Sequence, residues 1–167
     1  MDMEAVVMPI VVEGFEDYIE QLITTDKQLD RICGRSLHPG AKIVSDVCKK
    51  KLEALRTDDS WFKRNGGFRH GPTKRQKKFL IESMGIAKMR HTGGSYDVKL
   101  GFDGYNDIVS ERWPAGQPNA VIARSVNKGT SFMEAQPFMD QSIKESEVAV
   151  IKAIEKQFEY ELEKIFI

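Results

Sequence analysis

The chain has 167 residues, 41% of them hydrophobic and 30% charged, an ordinary balance for a globular protein of one domain with a sizeable core. Its 25 basic and 25 acidic residues cancel to a formal net charge of zero, which argues against a dedicated nucleic-acid binder but not against a local basic patch. No run approaches the ~18 apolar residues of a membrane-spanning helix, the N-terminus lacks a basic-then-apolar leader pattern, and two cysteines, Cys33 and Cys48, cannot build a disulfide framework, so a reducing cytoplasm is expected.

Residues 6–12 (Val-Val-Met-Pro-Ile-Val-Val) are apolar and mostly β-branched. They predict a short strand that Pro9 confines to an edge position, with residues 1–8 a loose N-terminal segment and Gly14 ending the run. Phe15, Tyr18, Ile19, Leu22 and Ile23 then recur at helical spacing and predict a short helix. From Asp26, the residues Leu29, Ile32, Cys33, Leu37, Ala41, Val44, Cys48, Leu52 and Leu55 form one apolar stripe of helical period. Pro39 and Gly40 interrupt it and predict a kink, or two helices meeting near His38–Gly40. Both cysteines read as small core hydrophobes; on a straight helix they stand roughly 22 Å apart.

Residues 57–78 predict a long loop, with turn formers, three aromatics and no sustained period. Within it Thr73 is placed to cap a short helix, Lys74–Met84. A hairpin is the clearest β signal: Ile86–Arg90, a glycine-bearing turn at 91–95, then Tyr96, Val98, Leu100 and Phe102 alternating with more polar positions and facing the core. Residues 103–119 predict a second long loop. Ile143, Val150, Ile151, Ile154, Phe158, Leu162 and Ile165 predict a long amphipathic C-terminal helix.

Little in this order points to catalysis. His38, His70 and His91 have no metal-ligand spacing. The glycine pairs lack the following Lys-Ser/Thr of a phosphate loop. Asp58 and Asp59 read as helix-end or turn residues. No nucleophile, base and orienting group can be named together, and no cofactor is implied. The basic cluster Lys63, Arg64, Arg69, His70, Lys74, Arg75, Lys77 and Lys78, interleaved with Trp61, Phe62 and Phe68, has three readings. It is a solvated loop, a contact for an acidic protein neighbour, or a phosphate and base contact. Trp61, Lys74, Arg75, Lys77, Lys78 and, in the second loop, Trp113 are the candidate assembly contacts.

The segment Val121–Met139 runs from an apolar stretch through a glycine turn to a proline that opens a helix. Gly129 fits a position needing positive φ, and Pro137 fits the first turn of a helix. Ile122, Ala123, Gly129, Thr130, Ser131, Ala135, Pro137 and Phe138 resemble the signature of the neck, or tail-component, family of long-tailed bacteriophages, which joins head to tail. The Gly93–Asn106 run and the order of elements from Gly14-Phe15 onward resemble it too, so the likeness spans residues 10 to 166.

The expected fold is a single α+β domain over residues 1–167. A small, mainly antiparallel sheet with a hairpin packs against a kinked N-terminal helix and a long C-terminal helix. The resemblance implies a non-enzymatic virion protein, made in the bacterial cytoplasm and sited at the head–tail junction. It implies a homo-oligomeric ring joining head-closure to tail-completion or tail-tube proteins, with DNA passing through without specific binding. A tail terminator capping the tail tube and a nucleic-acid-binding regulator are the alternatives.

Overall fold

The apolar stripe predicted between Asp26 and Leu55 folds as most of α1 (Glu16–Ala54). The computed structural model describes residues 16–60, 67–92 and 95–166; the strand predicted at 6–12 lies outside them. The separate helix predicted around Tyr18–Ile23 is part of α1. Of the kink or junction of two helices that the sequence predicts at Pro39, the junction does not form: α1 runs through the proline as one helix. Proline withholds one backbone donor, the partner of the Arg35 carbonyl. The helix continues because packing from outside holds it.

That packing comes from α4 (Phe138–Phe166). Arg35 pairs with Glu161 at 3.1 Å, and Lys51 with Glu145 at 2.7 Å. Residue numbers rise along one helix as they fall along the other, so the pair is antiparallel. Small residues line much of the seam. Ser36, Ser45, Ser142 and Ser146 are buried, and the hydroxyls of Ser36, Ser142 and Ser146 donate to carbonyls one turn back at 2.6–2.8 Å, which satisfies them inside the helix. Gly40 sits under Ile154 and Val150, whose carbons lie 2.8 and 3.0 Å from where a Cβ would stand. The predicted apolar face of α4 is therefore partly wrong. Ile143 and Ile151 are exposed, while Ser142, Ser146 and Glu161 are buried. A seam built on close approach selects small side chains over large ones.

The remaining elements are α2 (Lys74–Ser83), β1 (Met84–Ile86), β2 (Arg90–Thr92), β3 (Ser95–Asp97), β4 (Leu100–Phe102) and α3 (Asn119–Lys128); all but β2 and β3, which reach toward Asp30, gather around the C-terminal half of α1. Thr73 caps α2 as predicted. Its hydroxyl accepts from the Gln76 amide at 3.1 Å, and its own amide donates to the Gln76 side chain at 3.0 Å, a reciprocal capping box. The core lies where these elements meet: Cys48, Leu52 and Leu55 of α1, Leu80, Met84, Ala123, Val126, Met133 and Phe138.

The hairpin forms with a shorter connection than predicted, because His91 and Thr92 belong to β2 and Ser95 to β3. Ile86 faces Leu100 in one ladder and Arg90 faces Asp97 in the next. Residues 87–89 thus oppose 98–99, a bulge with one extra residue on the first strand. It reverses the alternation of that strand alone. Met84 and Ile86 before it, and Met89 and His91 after it, share the face of Tyr96, Val98, Leu100 and Phe102. That face meets α1: the Met89 sulfur lies 3.2 Å from the Cβ position of Gly34. All four predicted inward residues of the second strand are half-buried.

At the far end of the hairpin, Tyr96 donates to Asp30 Oδ1 at 2.7 Å. The His91 ring stacks on Tyr96 with centroids 4.2 Å apart and brings its Nδ1 within 3.1 Å of the same carboxylate oxygen. The hydrogen bond to Asp30, aided by desolvation and the carboxylate charge, pushes the Tyr96 phenol up to about 12, against an ordinary value of ~10. A pKa raised on folding means the neutral phenol stabilises the fold fully below pH ~10, and the contribution is lost as pH climbs through about 12. Absorbance titration should show a late-ionising tyrosine component. Tyr96→Phe should remove that late component; if it persists, the Asp30 contact is not what raises it.

Candidate functional site

The segment that carries the family resemblance folds as a joint between α3 and α4. The sequence reading takes Val121–Ala123 only as an apolar stretch and misses α3. Its signals are present: Ile122, Ala123 and Val126 at helical spacing, Pro118 at the N-terminal boundary and Gly129 at the C-terminal one. Gly129 takes φ +74°, as its place in the turn predicts. A Cβ there would also lie 3.0 Å from the Ala135 nitrogen and 3.1 Å from the Met133 oxygen.

Beyond Gly129 the chain makes a tight turn. The Thr130 amide donates to the Met133 carbonyl at 2.9 Å, the Met133 amide returns a bond at 3.3 Å, and the Thr130 hydroxyl accepts from the Phe132 amide at 3.3 Å. Ser131 is exposed. Residues 132–134 then lie beside Arg69, whose amide donates to the Phe132 carbonyl and whose carbonyl accepts from the Glu134 amide, both at 2.8 Å.

Gln136 ties this joint to the exit of α1. Its Oε1 accepts from the Arg56 amide at 2.9 Å, its Nε2 donates to the Arg56 carbonyl at 3.0 Å and the His70 carbonyl at 3.2 Å, and its own amide donates to the Val126 carbonyl at 2.8 Å. Pro137 follows at the start of α4, its carbonyl accepting from Gln141. Asn127 of α3 caps α4 from outside, its Oδ1 accepting the Met139 amide at 2.9 Å. Lys128 pairs with Asp140 at 2.6 Å and holds that carboxyl below its ordinary range. Phe138 is buried and meets Phe102 edge-on, centroids 6.0 Å apart.

The basic cluster is largely matched from within. Trp61, Phe62, Lys63 and Arg64 lie outside the described residues. Lys77 reaches the Glu53 and Leu55 carbonyls at 2.7 and 3.0 Å, closing the C-terminal end of α1. Arg75 pairs with Asp107, Lys74 with Asp59 at 3.9 Å and Lys78 with Glu82 at 3.9 Å. Glu134 takes both Arg56 at 2.7 Å and His70 at 3.1 Å, which hold its carboxyl down. Arg69 is buried, its guanidinium 5.9 Å from the Phe132 ring centroid. Asp58 and Asp59 serve the turn, as read from sequence. Asp58 accepts from the Ser60 hydroxyl and amide and the His70 amide, bonds that bring its carboxyl to about 2. Asp59 accepts the Lys74 amide at 2.9 Å. Trp113 is half-buried in a turn, under the Arg112 guanidinium at 5.3 Å.

Two aromatic side chains also stand outward. Phe68 is 51% exposed and Phe132 is 47% exposed, one residue before the bridged pair Arg69 and Met133 on each segment. Among the described residues, no group of three or more His, Cys, Asp or Glu side chains is placed to hold a metal ion, and no helix is long and apolar enough to cross a membrane.

Gly129→Val should lower stability by about 1–3 kcal/mol, the cost of a side chain at positive φ; an unchanged urea midpoint would show that the turn relaxes freely. Gln136→Leu, which keeps the bulk and removes every side-chain hydrogen bond, should cost about 1–2 kcal/mol. It should also speed amide exchange at Arg56, the residue whose N–H it accepts. Wild-type protection at that amide would show that the Gln136 side chain does not hold the joint.

No family model matches the chain, nor does any curated protein or solved structure.

Proposed function

We propose that the protein is a structural component of the head–tail connector, or neck, of a long-tailed bacteriophage. In this reading it assembles as a ring that links head-closure to tail components around the DNA passage, and it has no turnover chemistry. The observation that carries the proposal is the joint at 129–138. The family-like signature residues frame this joint, with Gly129 at φ +74° and Phe138 buried; Gln136, which stands among them, cross-ties it to Arg56 and His70, and the aromatics Phe68 and Phe132 stand outward from it. Exposed aromatics on a fixed scaffold are what a neighbouring subunit buries. Head-to-tail repetition of one such contact closes a ring when the rotation permits.

The pattern of charge supports the same reading. A lining traversed by DNA works best if it does not hold the DNA fast. Here Lys74, Arg75 and Lys78 have carboxylate partners, and Lys77 is committed to the end of α1. Their field at a phosphate backbone is correspondingly weak.

Deleting the gene from the phage genome should yield DNA-filled heads and free tails that fail to join, seen by negative-stain electron microscopy. Phe132→Asp should give the same separation from a protein whose thermal melt stays close to wild type, since Phe132 is already about half exposed. Tailed, infectious particles from the deletion would overturn the proposal. So would sequence-selective DNA binding at nanomolar concentration and physiological salt, which belongs to a regulator.

A further inference from the structure

The outer edge of β4 is open beside an apolar pocket. In an antiparallel ladder, alternate residues turn their N–H and C=O groups toward the partner strand. The Ala87–Lys99 and Asp103–Ser83 bonds put Lys99, Gly101 and Asp103 on the β1 side. The backbone groups of Leu100 and Phe102 therefore point away from β1, and among the described residues no strand pairs with them. Next to this edge lies a cavity of about 340 Å³ walled by Val44, Cys48, Leu100, Phe102, Met139 and Ile143. Ile143 stands at 59% exposure, a large aliphatic side chain with nothing over most of its surface.

An unpaired strand edge beside an apolar pocket is the seat for an extended apolar segment. Main-chain bonds supply affinity, and alternate side chains fill the pocket. One segment of this chain has that chemistry: Val6–Val12, apolar throughout and mostly β-branched. Pro9 has no N–H to give, so it suits an added strand only with its nitrogen facing away from β4. The alternation then turns the backbone groups of Met8, Ile10 and Val12 toward the edge.

The same copy cannot supply that segment. At ~1.5 Å per residue along α1, Val44 stands roughly 42 Å from Glu16. An extended chain covers at most ~3.6 Å per residue, which keeps Val6 within roughly 36 Å of Glu16 and Val12 within roughly 14 Å. We propose that the β4 edge and its pocket receive the segment Val6–Val12 of a second copy of this chain, as an added strand. Such an exchange is head-to-tail, arm of one copy on hairpin of the next. It deepens the ring reading by naming a contact between subunits, and rests on that reading only for the closure of a ring.

The test uses the full chain carrying Ile10→Asp and Val12→Asp, which disables its own arm, and a labelled synthetic peptide of residues 4–14. The peptide should bind this protein, and at least ~tenfold more weakly when Ile143→Asp is added. Hydrogen exchange should show new protection of the Leu100 and Phe102 amides on binding. In sedimentation, the wild type should associate with rising concentration and the Ile10→Asp, Val12→Asp protein should not. Absence of binding at roughly millimolar peptide, or protection at other amides instead, would overturn the proposal. A monomeric wild type with those two amides already protected would also overturn it, because the arm would then dock within one copy. Head–tail joining by the Ile10→Asp, Val12→Asp protein would overturn the arm contact and leave the neck reading standing. Peptide binding as described, with normal joining in the gene deletion, would do the reverse.

Discussion

The close antiparallel approach of α1 and α4 is the constraint on which the rest of the molecule depends. Two helices meet at Gly40, Ser36, Ser45, Ser142 and Ser146, where the absence of bulk lets the backbones come near. The approach explains how α1 passes Pro39 without ending. It also explains why Glu161 is buried: Lys164 at 3.0 Å, Arg35 at 3.1 Å and Gln157 at 3.0 Å surround its carboxylate. Lys164 and Arg35 hold the carboxyl below its ordinary range, against a burial that would raise it. Such an arrangement favours one alignment of the helices over others, since a sliding register would strand a charge away from water.

The seam places the C-terminal half of α1 where everything else docks. Leu52 and Leu55 enter a core shared with Leu80, Met84, Val126 and Phe138, so α2, the hairpin, α3 and the start of α4 are anchored at one end of the long helix. The other end meets the C-terminal part of α4 and, among the described residues, the far end of the hairpin, through Met89 over Gly34 and the Asp30 contacts of Tyr96 and His91. Hydrophobic burial is concentrated at one end and polar fastening at the other. Local opening should therefore favour the far end of the hairpin over the joint.

At the joint, hydrogen bonds add to the apolar packing of Val126, Met133 and Phe138. Gln136 bonds the backbones of Arg56 and His70 and, through its own amide, that of Val126, while Asn127 caps α4. Side-chain amides suit this task because each offers both donor and acceptor at fixed spacing. With the backbone so held, Phe68 and Phe132 can remain outward without the surface collapsing around them.

Much of this was legible in the sequence. Period-2 alternation from Tyr96 to Phe102 identified a half-buried strand and its inward side, helical periods identified the two long helices, and Thr73 marked the start of α2. The turn at Gly129 was readable because positive φ is a property of one residue. Other features depend on partners distant in the chain, and the sequence did not show them. The continuity of α1 through Pro39 is decided by α4, and the exposure of Ile143 and Ile151 by how closely the two helices approach. The bulge at 87–89 leaves no compositional mark, since it is a mismatch in count between two strands. The basic run from Lys74 to Lys78 looked like an open patch because Asp59, Asp107 and the end of α1 lie elsewhere in the chain. Periodicity and turn chemistry are local and can be read from neighbours; register, helix approach and charge pairing are settled only when remote segments meet.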